Sequence, residues 1–293
     1  MDNFIVLYNP LAGNGTAQDK MRELESLMQG DSLYFSNMLD IRDYGAFFND
    51  MPDGASIIIC GGDGTLNRFL NDTEDIRPDC DIYYYPSGSG NDFARDIGAE
   101  RGAPPVLINR YIERLPKICV NGKEHRFING IGYGIDGYCC EKGDELRGKG
   151  NGEVNYTAIA IKGLLFHYKP TGATITVDGV EHRFEKVWLA PTMIGRCYGG
   201  GMMPTPEQDR LNGDGAVSVM VYYGSGKLKS LAVFPSIFKG EHVKHGEMVA
   251  VLSGRSITVR FDEPRPLQID GETVSGVREY SVTACEEKVL QPA

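Results

Sequence analysis

Tryptophan occurs once in this chain and histidine five times, no two of its seven cysteines form a C-x-x-C pair, and acidic residues outnumber basic ones 40 to 30. Each scarcity removes a class of function. A formal net charge of -10 leaves no general basic surface to displace counterions from nucleic acid phosphates, so no nucleic-acid partner is expected. The cysteines Cys60, Cys80, Cys119, Cys139, Cys140, Cys197 and Cys285 are odd in number and scattered, which fits a reducing cytosol better than a disulfide framework. His242 and His245 stand three apart in "HVKH" with no further ligand cluster after them, and read as surface histidines rather than metal ligands. Long apolar runs are missing as well. The opening "MDNFIVLYNP" has no positive flank and stops at Asn9-Pro10, unlike a signal peptide, and "YTAIAIKGLLFHY" is interrupted by Lys162 and too short to span a bilayer.

What is present is ordinary globular material. Apolar residues make up 41% and charged residues 24% of 293 residues, a length that predicts two domains. The first third alternates short apolar runs with helical periods, the pattern of parallel strands joined by crossover helices. "FIVLYNP", "ASIIICGG" and "CDIYYYPSGSG" read as strands. "AQDKMRELESLMQG", entered at Thr16 and ended by Gly30, then "TLNRFLND" and "NDFARDIG" read as the helices that follow them.

From about Lys117 the chain turns into strands punctuated by tight turns. "ICVNGKEHRFI" and "ITVDGVEHRFEKV" are near copies, each with an Asn-Gly or Asp-Gly pair where a two-residue hairpin requires positive φ. "SITVRFDEPRPLQIDGETV" and "EYSVTA" continue the pattern, so the second half is expected to be mainly antiparallel β, with helical stretches at "VNYTAIAIKGLLFHY" and "KLKSLAVFPSIFKG". Residues 141–153, charged and glycine-rich without period, are expected to form a mobile loop. The expected domains are 1–118 and 119–293, with the last residues returning to the first.

Three places join a strand end to a helix start through glycines: "YNPLAGNGT", "CGGDGT" and "PSGSGND". Glycine lets backbone N–H groups approach an anion, and carboxyl ends of strands in one open sheet are where ligands bind. Asp63 would repel a bare phosphate there, so it points to a metal ion or to proton transfer, and hence to phosphoryl-transfer chemistry.

"GGDGTLN", then "PSGSGNDFAR" about twenty-five residues on, with N-P-x-x-G near the start, resemble the diacylglycerol kinase catalytic family, bacterial-type lipid kinases related to sphingosine and ceramide kinases and, more distantly, to NAD kinases. The resemblance extends through "CYGGGMMPTPEQDRLNGDGAVSVMV" to "LQIDGE". It implies an α/β fold: an N-terminal Rossmann-like three-layer nucleotide-binding domain and a C-terminal, mainly antiparallel β-sandwich domain. It also implies ATP- and Mg²⁺-dependent phosphorylation of a lipid hydroxyl, diacylglycerol-like, in the cleft between the two. Carried over, Asn9, Gly13, Gly62, Gly64, Thr65, Gly88 and Asn91 line the nucleotide site. Asp63 and Glu272 are catalytic, with Glu272 favoured as the base, and Asp92 and Arg95 complete the polar floor. The family's structural metal motif becomes Asn212-Gly213-Asp214-Gly215, leaving Asp214, with Asp209 as substitute, as its ligands. Ala12 and Asn14 replace the serine and basic residue common in the first loop, so that loop must work through its backbone.

The same reading places the lipid substrate at a membrane surface, with the enzyme cytoplasmic and peripheral at the inner face, and leaves a homodimer open. Segment 227–246, with Lys227, Lys229, Lys239 and Lys244 beside Leu228, Leu231, Phe234, Ile237 and Phe238, reads either as an amphipathic stretch packed on the sheet and broken at Pro235 or as a dock for anionic lipids. Residues 132–137, "GYGIDG", match G-x-G-x-x-G, but no apolar helix is expected after them, so the dinucleotide context fails. An NAD kinase-like enzyme and an inert nucleotide or lipid sensor on the same fold stay open as alternatives.

Overall fold

A computed structural model describes residues 2–10, 17–74, 76, 78–88, 90–148 and 156–285. Gly13, Thr16 and the terminal segment 286–293 lie outside the described residues. The chain divides into two units, Met1–Glu113 and Arg114–Ala293. No described helix is long and apolar enough to cross a membrane.

The first unit runs β1 (Asn3–Tyr8), α1 (Ala17–Leu27), β2 (Ser32–Asn37), α2 (Tyr44–Asn49), β3 (Ser56–Gly61), α3 (Asp63–Asp72), β4 (Ile82–Pro86), α4 (Asp92–Ile97), β5 (Val106–Leu107) and α5 (Asn109–Ile112). Its sheet has the order β2-β1-β3-β4-β5, parallel except at the β4–β5 edge. β3 is central and its apolar residues are buried on both faces, which is why it reads as an unbroken hydrophobic run. β2 and α2 have no counterpart among the sequence expectations. β2 is a half-exposed edge strand, and α2 depends on a local device, Asp43 Oδ1 accepting from Ala46 N at 3.1 Å. The sheet order reverses between β1 and β3, so the carboxyl ends of these strands, at Asn9 and Gly62, flank the switch point where open α/β sheets bind ligands.

The second unit runs β6 (Lys117–Val120), β7 (Lys123–Arg126), β8 (Gly130–Tyr133), α6 (Ile135–Gly148), α7 (Tyr156–Lys162), a π-helical turn (Gly163–His167), β9 (Thr171–Val177), β10 (Val180–Val187), β11 (Thr192–Met193) and β12 (Val217–Tyr222). It continues with α8 (Lys227–Val233), 3₁₀ turns at Phe234–Lys239 and Glu241–Lys244, β13 (Val249–Gly254), β14 (Ser256–Ile269) and β15 (Glu272–Thr283). All its described strand pairs are antiparallel. The first half of β14 pairs with β9 and the second half with β8, with register shifts between Arg260 and Leu267, so one bulged strand serves two parts of a sandwich-like fold. Tyr133, Phe261 and Tyr280 fill its interior, with Tyr133 stacked on Phe261 at 4.2 Å between ring centroids. Both expected hairpins form, β6–β7 and β9–β10, with positive φ at Asn121, Gly122, Asp178 and Gly179.

Two expectations are overturned. Residues 141–148 are not a mobile loop but the end of α6; residues 149–153 lie outside the described residues. α6 carries ion pairs Lys142–Glu145 and Asp144–Arg147. It is also tied to β15, where Thr273 Oγ1 donates to Asp144 Oδ2 at 2.7 Å and Ser275 Oγ donates to Glu141 Oε1 at 2.6 Å. Two of its glycines, Gly137 and Gly143, serve close contact. A Cβ at Gly137 would collide with the carbonyl of Pro266, and one at Gly143 would lie 2.6 Å from the Tyr156 ring. His242, expected at the surface, is fully buried and bonded at Nε2 to the Pro204 carbonyl at 2.9 Å.

Candidate functional site

Asp63 opens α3, and the N-cap before it, Gly62, carries no side chain to bond the helix end. The Asp63 carboxylate serves a different helix. Its Oδ2 accepts from Asp92 N and its Oδ1 from Phe93 N, both at 2.9 Å, so it caps α4, whose own N-cap, Asn91, makes no capping bond. The acid among the glycines therefore binds a helix N-terminus that would otherwise attract an anion, a role that sequence reasoning did not consider. The two glycine loops also meet backbone to backbone. A Cβ at Gly88 would stand 2.5 Å from Gly62 Cα, so Gly88 cannot carry a side chain at the crossing, and one at Gly62 would press on Gly88 Cα at 3.1 Å. Asn91, in the left-handed region at φ 50°, donates from Nδ2 to Gly88 O at 2.8 Å, while its Oδ1 is buried with no partner.

Gly62, Asp63, Gly88, Asn91, Asp92 and Arg95 are thus brought together. Asp92 is buried and ion-paired with the half-exposed Arg95 at 3.1 Å. Thr65 is buried with its side chain against Gly61, Gly64 is exposed on the first turn of α3, and Asn9 is half-buried at the end of β1. Gly13 lies outside the described residues.

In the second unit, Glu272 is exposed at the start of β15, directly after the two-residue turn Asp270-Gly271. Three neighbours that sequence reasoning left unassigned organise this turn. Asp270 accepts from Ile128 N, Asn129 N and Gly130 N at 2.6, 2.9 and 3.0 Å, fastening the turn to the start of β8. Gln268 is buried and bridges two groups: Oε1 accepts from Gly271 N at 2.6 Å, and Nε2 donates to Asp136 Oδ2 at 3.0 Å. Asp136, half-buried at the start of α6, has its pKa raised by desolvation to about 6, against the opposing hydrogen bonds of Gln268 and Tyr198. A carboxyl whose pKa is pushed up to about 6 is suited to orient or accept a proton.

This also corrects the reading of "GYGIDG". A helix does follow β8, yet the motif's glycines make room for the protein itself. A Cβ at Gly132 would strike the Asp136 carboxylate, and one at Gly134 would lie 2.6 Å from Trp188 O. The signal for Asp136 was there to read: a lone acid in the apolar, glycine-rich run "NGIGYGIDG" must be either paired or used.

Asp209 and Asp214 lie exposed in one loop and each closes a local turn, Asp209 Oδ1 accepting from Leu211 N at 2.9 Å and Asp214 Oδ1 from Ala216 N at 3.2 Å. No group of three His, Cys, Asp or Glu side chains with metal-binding placement occurs among the described residues. In the same loop Asn212 donates to two carbonyls while its Oδ1 is buried without a partner. These oxygen donors fit a hard divalent cation in kind.

Residues 3–117 match the diacylglycerol kinase catalytic domain, and residues 129–286 match the YegS C-terminal NAD kinase beta sandwich-like domain. The chain belongs to the diacylglycerol kinase catalytic family. A diacylglycerol kinase of Mycobacterium tuberculosis (strain CDC 1551 / Oshkosh) is 27% identical over 246 residues, covering 81% of this chain and 77% of the relative. One from Bacillus subtilis (strain 168) is 28% identical over 224 residues, 74% of this chain and 70% of the relative. The crystal structure of a diacylglycerol kinase from Bacillus anthracis str. Sterne shares the fold, with a TM-score of 0.60 at 18% identity over 97% of this chain and 94% of that one. Family membership places the chain among the lipid kinases.

Proposed function

We propose that this protein transfers the γ-phosphate of ATP to the hydroxyl of a diacylglycerol-like lipid. The observation that carries the reading is the bridge from Asp136 through Gln268 to the Asp270-Gly271 turn, which ties a carboxyl whose pKa is pushed up to about 6 to the turn that precedes Glu272. In the first unit, the uncapped start of α3 and the backbone of the glycine loops receive the polyphosphate. In the second unit, Asp136 orients the lipid hydroxyl and Glu272 takes its proton. The hydroxyl oxygen bonds to the γ-phosphorus as the bridge to the β-phosphate breaks, and ADP departs. Mg²⁺ bound with the nucleotide would neutralise charge on the phosphates; Asp63, whose oxygens also accept from Asp92 N and Phe93 N, would lie near it, and Asp209, Asn212 and Asp214 would hold a second, structural ion.

Radiolabelled ATP with Mg²⁺, offered to diacylglycerol, a sphingoid base, ceramide and a polyprenol in mixed micelles, with NAD as a parallel acceptor, tests this reading. Label on diacylglycerol that vanishes with Glu272→Gln is the expected result. Label on NAD alone would make the protein an NAD kinase-like enzyme, and turnover unchanged in both Asp63→Asn and Glu272→Gln would refute the assigned chemistry.

A further inference from the structure

Leu228 and Phe166 are the two most exposed large apolar side chains among the described residues, at 80% and 71%. They are 62 positions apart in sequence yet sit on adjoining segments, because Lys227 Nζ donates to Leu165 O at 2.7 Å, linking the residue before one to the residue before the other. Neither projects from a slack loop. Leu164 and Tyr168 on one side, and Val233 and Ile237 on the other, are buried in a single core with Trp188 and Met220. The backbone under each exposed tip is anchored, and only the tips face water.

Charge marks the same face. Segments 156–169 and 226–240 contain no Asp or Glu, in a chain with 40 acids to 30 bases, and together they carry Lys162, Lys169, Lys227, Lys229 and Lys239, all exposed. Lys229 pairs with Glu247, from outside both segments, at 2.8 Å. Exposed apolar tips on an anchored backbone, in segments whose only charged residues besides histidine are lysines, are the pattern of a surface that enters a bilayer interface, the tips reaching the acyl boundary while the ammonium groups stay at the phosphates.

We propose that this face docks the protein on a bilayer bearing anionic headgroups, with Phe166 and Leu228 as the inserting residues. A second copy of the chain is the poorer occupant, since a symmetric pairing of this face would set its lysines against their counterparts. The docking extends the lipid kinase reading, on which its purpose rests, but binding itself requires neither nucleotide nor turnover.

The test is flotation with vesicles of phosphatidylglycerol and phosphatidylcholine in equal parts, without ATP, alongside sedimentation of the protein alone. The wild type is expected to float and to lose binding at high salt. Phe166→Ser with Leu228→Ser should weaken binding about tenfold or more, and Lys162→Glu with Lys169→Glu by a similar factor. Thermal midpoints should stay unchanged, because these side chains are exposed. No flotation of the wild type, equal flotation of the variants, or a wild-type dimer that Phe166→Ser splits would each overturn the proposal. Activity separates the two readings: the apolar variant should keep transfer to a short-chain acceptor in solution and lose it on vesicle-borne acceptor. Intact flotation with no transfer to any lipid would leave docking standing and remove the kinase assignment.

Discussion

Phe93 N donates to Asp63 Oδ1 at 2.9 Å across thirty positions of sequence, so the acid of one glycine loop closes the helix that follows another. With the companion bond from Asp92 N, this clasp holds the ends of β3 and β4 together where Gly62 and Gly88 touch. Asp63→Ala leaves two buried helix-end donors unpaired and should cost the protein about 1–3 kcal/mol in urea denaturation. Asp63→Asn keeps one acceptor and should cost about half as much, while phosphate transfer falls in both. Full stability in Asp63→Ala would deny the clasp.

Asp136 should reveal itself by opposing effects on stability and activity. Folding raises its pKa from 3.8 to about 6, so the folded state holds the proton more tightly than the unfolded chain. The charged form therefore weighs against the fold above about pH 6, and that cost disappears as pH falls towards 3.8. Asp136→Asn should stabilise the protein by about 1–3 kcal/mol near pH 7.5, have little effect on stability near pH 4, and lower turnover. Urea midpoints across that range check the sign.

Gln268 acts through the groups it bridges. Its hydrogen bond lowers the Asp136 pKa against desolvation, so Gln268→Ala should raise that pKa further and move the acidic limb of kcat/KM to higher pH. A pH–rate profile that only drops in height, with its limb unmoved, would leave Gln268 as a support for the turn and nothing more.

Acid should loosen the second unit through His242. Burial, with His245 adding repulsion, lowers its pKa from 6.5, so the fold favours the neutral ring. The stability this contributes is present above about pH 6.5 and is lost as pH falls through the folded value. His242→Asn should flatten the acid side of a stability profile measured between about pH 7 and pH 5.

Much of this was legible in the sequence, and the failures share a cause. β1, β3 and β4 show in the sequence because strands buried on both faces read as apolar runs, and the glycines after them mark where each turns. β2 and α2 do not show, since a half-exposed edge strand and a six-residue helix lack periodicity. α6 was misread because Gly137, Gly143 and Gly148 look like loop residues, whereas the first two allow close approach to Pro266 and Tyr156, a fact of tertiary packing. Asp63 stood out as an acid that needed an explanation, but its partners lie 29 and 30 positions away. Gln268 sat unnoticed in "LQIDGE", because a buried amide announces itself only once both groups it bonds are in place.

The two-residue turns at Asn121-Gly122 and Asp270-Gly271 share a backbone conformation, with positive φ at all four positions, but they are not interchangeable parts. The first is exposed and closes a hairpin whose strands end there. The second has its aspartate bonded to three successive amides leading into β8 and its glycine amide bonded to Gln268. An epitope tag or a fluorescent domain spliced after Asn121 should be carried without harm. The same insert after Asp270 would uncouple Glu272 from the strand register that aims it, so the chain has one turn open to engineering and another of matching shape that is closed.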